Sequence, residues 1–449
     1  MNRKTIGLSL VFVSLVLAST AGAQPNGPLP QPLPLFPADN WWNADVSAAP
    51  VDSGSAGFIQ HIGGGTPLHP DFGGDADPFP ETYGMTYISV PGTQPLVPVT
   101  FVEYGSESDA GAPGRPPGYP IPEEAKTQPH YMEGGYPGNA DPGGDRHMLI
   151  VDRDHRILFE LYHAHFNSAR NRWEAGSGAA FPLTSNTRRH EGWTSADAAG
   201  LAILPGLVRA DEVYGPDPIR HAFRFTIEES NGFVFPASHD AGDAAGALPM
   251  GARLRLKASQ DISGYPPDVR KIFQAMKTYG LIVADNGTDM YIQGTYDARW
   301  NNDVLNPAFA SLHASDFEVV QLGWKPSGPA PGQPCFQGDH SLCLNKGRFE
   351  VQAAWTAPNG QTSLGHAVPL TGDTGYFWFF NDANVEVVIK VLEACATNNR
   401  FWVFAGGLTD TNVRIIVRDA QTNAQKIYSN PQGTAFRPIQ DTGAFATCP

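Results

Sequence analysis

The chain has 449 residues, enough for two or three domains, and its 45 acidic against 30 basic side chains give a net charge of −15. This balance argues against a nucleic-acid partner and against an anionic membrane surface, because both attract basic proteins. The 48 glycines and 40 prolines are spread among short apolar segments, which favours a loop-rich, mainly β fold over a helical one.

Residues 1–23 have the form of a secretory signal peptide. Arg3 and Lys4 precede an uncharged apolar run, and residues 21–23 are Ala-Gly-Ala, which matches the small-residue cleavage rule. The run is shorter than the roughly 20 residues that a membrane-spanning helix needs, so we expect cleavage before Gln24 rather than a membrane anchor. The sequence therefore predicts a secreted protein, extracellular or periplasmic, without membrane insertion. It leaves the oligomeric state open.

Proline and glycine divide the rest of the chain. Residues 24–38 are predicted to be a Pro-rich extended leader, and residues 326–334 a Pro/Gly linker. Between and beyond them we expect a large, mainly β domain at 39–325 and a small disulfide-bonded β-sandwich module at 335–449. The predicted fold class is mainly β, with a few helices in the large mixed β domain.

In the large domain, short runs rich in β-branched and aromatic residues predict strands. Two of these runs flank the polar Asp152-Arg-Asp-His155 and predict a hairpin. Farther along, 195–200 predicts a short capped helical turn, and an apolar stripe that begins after Pro266 predicts a helix ending before Gly280. The predicted strands are 86–90, 97–102, 147–151, 156–162, 222–227 and 252–257.

In the small module, apolar strands alternate with polar turns, at 348–355, 376–380, 385–392, 401–405 and 412–417. All four cysteines of the chain lie here, and an even number in an exported protein indicates disulfides. Three pairings are possible, of which we favour Cys335 with Cys343 and Cys395 with Cys448. A zinc site is the alternative, although no Cys-x-x-Cys spacing supports it.

Several segments of the large domain, in one order along the chain, resemble a family of secreted bacterial proteins to which no activity is assigned. The segments are YGSESD (104–109), DRHM (145–148), LFELY (158–162), GWTSADAAG (192–200), LPGLVR (204–209), HAFRFT (221–226), PMGAR (249–253) and ADNG (284–287). Members of that family are often joined to sugar-binding modules, so the resemblance implies a polysaccharide context.

The small module resembles a C-terminal module found on varied secreted bacterial proteins. The resemblance rests on LCLNKGRF (342–349), GYFWFF (375–380), VIKVLEAC (388–395) and WVFAGGLT (402–409). A module that occurs beside different partners is expected to be an accessory or attachment unit rather than an enzyme.

Candidate catalytic residues lie in loops of the large domain. Glycoside hydrolysis needs two carboxyl groups, one of them held protonated, and the carboxylates in suitable loops are Glu107, Asp109, Asp197, Asp211, Glu212 and Asp285. A lyase needs a base and a cation, for which the candidates are His147, His221 or Tyr162 and Arg209 or Arg224. Alternatively, these carboxylates are cap or turn residues, and Arg224 is an outward strand residue.

From these candidates we assign catalytic roles to Asp109, His147, Asp197 and His221. Substrate binding is assigned to Trp193, Arg209 and Arg224, although core packing is an equal alternative for the tryptophan.

Other chemistries receive less support. The large domain has no cysteine, so thiol catalysis by its own residues is excluded, and the chain has no Walker loop and no dinucleotide motif, so no cofactor is expected. His163 and His165 are two residues apart, which places both on one side of a strand and makes them a possible metal pair. A zinc site would need a third ligand, such as His147, His221, His239 or a carboxylate, and because a His-x-His pair alone is a weak signal no metal ligand is assigned.

The leading hypothesis is a secreted carbohydrate-active protein, a polysaccharide hydrolase or lyase that acts through His, Asp and Arg residues of the large domain. Its expected partner is a polysaccharide or a cell-surface glycan. The alternatives are a non-catalytic surface adhesion or glycan-binding protein and a metal-dependent hydrolase.

Overall fold

The computed structural model of the chain describes residues 22–37, 39–74, 82–109, 116–140, 142–325, 335, 337–358, 360–422 and 424–448. The predicted linker and all but the last two residues of the predicted signal peptide lie outside this set. Strands account for 33% of the residues and helices for 12%, so the prediction of a mainly β fold is confirmed. Among the described residues, none of the helices has both the length and the apolarity that crossing a membrane requires.

The part of the chain up to residue 325 contains three sheets and four α-helices in its described residues. The helices are α1 (Ser55–Ile62), α2 (Ala210–Val213), α3 (Pro267–Thr278) and α4 (Asn302–Ala310). The strands are β1 (Gln24–Pro25), β2 (His69–Asp71), β3 (Tyr87–Val90), β4 (Val99–Phe101), β5 (Met148–Asp152), β6 (Ile157–Tyr162), β7 (His165–Asn167), β8 (Arg172–Ala175), β9 (Ser177–Pro182), β10 (Phe223–Ile227), β11 (Arg253–Leu256), β12 (Leu281–Asn286), β13 (Tyr291–Gln293) and β14 (Phe317–Val319).

The first sheet has the strand order β1-β3-β5-β6-β9 and is buried on both faces. Because side chains alternate along a strand, Leu149 and Val151 join the main core, whereas Ile150 joins a second core with Trp173 of the small sheet β4-β8-β7. Burial on both faces explains why β3 and β5 consist almost entirely of apolar residues.

The segment predicted as a leader is packed against the large domain in its described residues, 24–37. Gln24 and Pro25 form β1 and pair with Ser89 and Ile88 of β3, which covers one edge of the first sheet. Leu35 and Phe36 are buried in the main core. The apolar residues between the prolines therefore anchor the segment, which bends over residues 31–36 and is not extended there as predicted.

The second sheet has the order β14-β11-β12-β10-β13-β2, and its central strands β10 and β12 are parallel. Their carboxyl ends therefore lie at the same edge of the sheet, a common position for functional groups. Helix α3 packs against the sheet through an apolar stripe that includes Val269, Ile272 and Met276. The sheet thus supplies both the main core and an edge where polar side chains meet.

The described residues beyond 335 form a β-sandwich whose two sheets share one core. In β16, residues alternate between buried and partly exposed, so every second side chain points inward. The sheets have the orders β15-β16-β22-β23, with β17 beside β16, and β18-β19-β20-β21-β24. The elements are β15 (Leu342–Leu344), β16 (Phe349–Thr356), β17 (Thr362–Leu364), β18 (His366–Pro369), β19 (Thr374–Trp378), β20 (Val387–Ala394), α5 (Cys395–Asn398), β21 (Arg400–Gly407), β22 (Asn412–Asp419), β23 (Gln425–Asn430) and β24 (Ile439–Phe445).

Both favoured disulfides are present. Cys335 is bonded to Cys343, and Cys395 to Cys448, so the zinc alternative for these cysteines is wrong. The β5–β6 hairpin, the strands β10 and β11 and helix α3 also lie where the sequence predicts them. The predicted helical turn at 195–200 is not helical, because Ser195 Oγ accepts the amide of Asp197 in a local turn instead.

Candidate functional site

The loop 192–200 lies at the centre of a network of buried polar groups in the large domain. Its backbone carbonyls accept hydrogen bonds from distant side chains: Ser177 bonds to Ser195 O and His147 bonds to Ala196 O. Gly200 adopts φ +71°, and a Cβ there would lie 2.1 Å from Ser238 Oγ. Glycine is therefore required where the loop turns back against its neighbours.

Asp197 forms a buried ion pair with Arg224 of β10. Arg224 Nη2 donates to one Asp197 oxygen at 2.7 Å and Nε to the other at 3.1 Å. Both side chains are buried, at 0% and 2% exposure. Burial alone would lower the pKa of Arg224, but the charge of Asp197 and its hydrogen bonds raise it above its usual value. The pair is therefore a fixed internal dipole that no solute can reach directly.

Asp285, near the end of β12, connects this pair to the surface. Its Oδ2 lies 3.5 Å from Arg224 Nη2, and its side chain keeps 24% exposure. Partial burial, followed by the negative charge of Asp197, raises the pKa of Asp285 to about 7, although Arg224 opposes the shift. The parallel pairing of β10 and β12, with Thr226 opposite Asp285, sets this position. Asp285 is therefore an accessible carboxyl group that can give or take a proton near neutral pH.

His147 lies just before β5 and forms an ion pair with Glu133. Its Nδ1 is 2.7 Å from Glu133 Oε2, and its Nε2 is 2.9 Å from Ala196 O. Burial lowers the pKa of His147, but the charge of Glu133 overcomes this and raises the pKa to about 9. Both ring nitrogens therefore donate, and neither is available to accept a proton.

Tyr162 lies beside this histidine because the hairpin places the start of β5 next to the end of β6. The two ring centroids are 5.8 Å apart. Burial and then the nearby Asp145 raise the pKa of Tyr162. Asp145 also raises the pKa of Asp285, so the half-buried tyrosine and the exposed Asp145 share the electrostatic surroundings of Asp285.

Asp109 belongs to a neighbouring network that holds the same loop. Its Oδ2 accepts Arg189 Nη1 at 3.0 Å and the amide of Ala180 at 2.8 Å. Arg189 also donates to Thr194 O, and Trp193 lies over its guanidinium with 5.7 Å between the arginine carbon and the ring centroid. Arg189 thus joins Asp109 to the 192–200 loop, which contains both Trp193 and Thr194.

His221 and Arg209 form a separate buried group around Glu212. His221 Nε2 is 2.9 Å from Glu212 Oε1, and Arg209 Nη2 donates to Glu212 Oε2 at 2.9 Å. His221 Nδ1 is 2.9 Å from Ala222 O, so both of its nitrogens are engaged. These residues do not share a hydrogen bond with Asp197, His147 or Asp285 in the described part of the chain.

Two carboxylates outside the sequence-predicted site residues, one partly buried and one fully buried, support the network. One is Glu133. The other, Glu160, is fully buried and accepts the amides of Ile203 and Leu204. Burial raises the pKa of Glu160 to about 7, although these amides oppose the shift. Glu160 could have been found from the sequence, because it is the one charged residue inside the apolar segment LFELY (158–162). The sequence around Glu133 has no comparable feature.

His163 and His165 do not form a metal pair on one strand. Residue 163 lies in the turn between β6 and β7 with φ +52°. Its Nδ1 is 2.9 Å from Glu103, whereas His165 Nε2 is 3.2 Å from Glu174. The two histidines therefore face separate carboxylates, and no third ligand joins them in the part of the chain that the structure describes.

Comparison of the chain with protein-family models, with curated proteins and with solved structures finds no match. The resemblances noted from the sequence segments therefore stay predictions.

Proposed function

We propose that the protein is a secreted carbohydrate-active enzyme that hydrolyses a polysaccharide or a cell-surface glycan, with Asp285 as its general acid. The observation that carries this proposal is the position of Asp285: its carboxyl group is partly exposed, with Oδ2 3.5 Å from Arg224 Nη2 of the buried Asp197–Arg224 pair. In this position, burial and the charge of Asp197 raise the pKa of Asp285 to about 7. A carboxyl group with this pKa is protonated often enough near neutral pH to protonate a glycosidic oxygen.

Hydrolysis of a glycosidic bond needs a second carboxyl group on the other side of the bond. Asp145 is the exposed candidate, because its charge raises the pKa of both Asp285 and Tyr162. Tyr104 is 43% exposed and also raises the pKa of Tyr162. Its exposed ring is a candidate stacking surface for a sugar.

The geometry favours a hydrolase over a lyase. A lyase would use an arginine to bind the uronate carboxylate, but Arg224 is bonded to Asp197 through two nitrogens, and Arg209 is bonded to Asp211 and Glu212. The engaged nitrogens of His147 and His221 also remove both histidines as bases. The structure thus supports positioning roles for the assigned histidines and arginines.

The test is a reducing-end assay over a panel of polysaccharides and cell-wall glycans. Asp285→Asn is expected to lower kcat/KM on any hydrolysed glycan by on the order of 100-fold or more, the usual contribution of a general acid. Wild-type activity should fall as the pH rises through about 7, because Asp285 then loses the proton that it donates. Asp297→Asn is the matched control, since Asp297 also pairs with an arginine, Arg299, but in the surface pair of a different loop. The activity of Asp297→Asn should match that of the wild type.

An intact panel would refute the enzymatic proposal. Retention of the protein on one of those glycans without any cleavage would instead support the glycan-binding alternative. Full activity of Asp285→Asn would refute the assignment of the acid while leaving hydrolysis established.

A further inference from the structure

The small module brings together three potential metal ligands that lie apart in the sequence. Gly338 and Ser341 form an antiparallel bridge, so Asp339 and His340 occupy the tip of a tight turn. This turn is held against the start of β18, because the amide of Ala367 donates to Asp339 O at 2.6 Å. His366 is the first residue of that strand. One ligand atom from each of Asp339, His340 and His366 lies within 4.8 Å of the other two.

Both imidazole rings are held in place by groups outside the cluster. His340 Nδ1 lies 3.1 Å from the carbonyl oxygen of Gly365, and donation to this acceptor leaves the lone pair on Nε2. The ring of His366 stacks on Trp378, with centroids 3.8 Å apart and planes 11° from parallel. Metal-binding histidines are commonly oriented by such contacts, above all by a bond from the second ring nitrogen to a carbonyl.

Two of the three distances between ligand atoms are close to those of a coordination sphere. Ligand atoms bound to one tetrahedral zinc at about 2.1 Å lie about 3.4 Å from one another. Asp339 Oδ2 is 2.9 Å from His366 Nδ1 and 3.5 Å from His340 Nε2. A small rotation of these partly exposed side chains is enough to direct all three atoms at one ion.

We propose that Asp339, His340 and His366 bind a divalent transition-metal ion, with Zn²⁺ or Cu²⁺ as suitable ions. Two imidazole nitrogens and one carboxylate oxygen suit these ions better than Ca²⁺ or Mg²⁺, which prefer oxygen ligands only. Three protein ligands leave a further position open to water or to an oxygen of a bound molecule. The site is accessible to solvent, because the Asp339 side chain is 62% exposed. It is independent of the proposed chemistry of the large domain.

The proposal is tested by isothermal titration of the full chain, purified without a histidine tag and freed of metal, with Zn²⁺ alone. We expect one ion per chain, and His340→Gln and His366→Gln should each weaken binding by on the order of tenfold or more. The matched control is His155→Gln. His155 is 63% exposed and lies 2.7 Å from a carboxylate oxygen of Asp152, but it has no second histidine in its pair. This variant should bind Zn²⁺ like the wild type.

Trp378 provides a second measurement. Cu²⁺ bound to His366 should quench the fluorescence of the stacked tryptophan, and Trp378→Phe should lose this quenching while it keeps the Zn²⁺ stoichiometry. Unchanged Zn²⁺ affinity in both histidine variants, or no binding by the wild type, would overturn the proposal. Asp339→Asn, at the most exposed of the three ligands, serves as the replacement if a histidine variant does not fold. Asp339→Asn should likewise weaken Zn²⁺ binding by on the order of tenfold or more.

Discussion

Replacing Glu133 by glutamine tests whether the buried ion pair with His147 stabilises the large domain. The amide has nearly the same shape and can still accept a hydrogen bond from Nδ1, so the change mainly removes the negative charge. The His147 side chain is 2% exposed and that of Glu133 27%. Without the carboxylate, burial and the nearby Arg224 lower the pKa of His147, so the imidazole loses its charge at neutral pH.

The size of the effect follows from the pKa of His147, which Glu133 helps to raise from 6.5 to about 9. This shift corresponds to about 3 kcal/mol of stability from the protonated ring. Because the folded-state pKa is raised, the contribution is complete below about pH 6.5 and is lost as the pH rises through about 9. The pKa of Glu133 is lowered, so its own contribution is lost only as the pH falls below its usual value of 4.5.

The assay is urea unfolding of both proteins from about pH 6 to about pH 10, followed by tryptophan fluorescence. Six of the nine tryptophans lie before residue 325, so the signal mainly reports the large domain. Glu103→Gln is the matched control, because Glu103 pairs with His163 at 2.9 Å but both side chains are more than one third exposed. Its effect should stay below about 1 kcal/mol.

The decisive result is the pH dependence of the difference between Glu133→Gln and the wild type. We expect a loss of about 3 kcal/mol near pH 6 that shrinks to nearly nothing above pH 9. A loss that stays constant over this range would refute the reasoning, since it would mean that the carboxylate acts by packing and not by charge. A loss no larger than that of Glu103→Gln would also refute it.

The remaining predictions concern the loop at 192–200 and the disulfides. Gly200→Ala places a Cβ against Ser238, whereas Gly232→Ala, at φ +65°, meets no atom within 4 Å; the first should therefore lower the unfolding free energy by about 2 kcal/mol more than the second in urea titrations. Equal losses would show that the loop can move away. Replacing the Cys395–Cys448 pair by serines should cost about 4 kcal/mol and replacing Cys335–Cys343 about 2.5 kcal/mol, because the loops closed span 53 and 8 residues. The reverse order in calorimetry of the small module would contradict this.

Local patterns in the sequence predicted the elements whose partners are close along the chain. The β5–β6 hairpin follows from two apolar runs around a polar turn, and helix α3 follows from its apolar stripe. The cysteine pairing was predicted from number and spacing in the same way. In the hairpin, the helix and the Cys335–Cys343 loop of 8 residues the physical cause is local, whereas Cys395–Cys448, 53 residues apart, follows as the remaining pair.

The candidate site was predictable only in part, because its contacts join distant residues. The sequence included Asp285 among the candidate carboxylates, but its raised pKa depends on Asp197, 88 residues earlier, and on the parallel pairing of β10 with β12. Glu133 lies in a loop without periodicity, and only the fold brings it to His147. The predicted helical turn at 195–200 failed for a local and a distant reason: Ser195 Oγ accepts the amide of Asp197, and distant side chains bond to the loop carbonyls.

The pairing of β2 with β13 affects the time at which the large domain can fold during synthesis. His69 pairs with Tyr291, and Val51 bridges to Val320. Segments that are synthesised first therefore pair only after residues near the end of the domain have been synthesised. Closing such long loops is slow, because the chain loses conformational entropy before the stabilising contacts between the distant strands form. A nascent chain that stops before residue 291 cannot complete its second sheet. This order of events delays folding of the large domain until nearly all of it has been made.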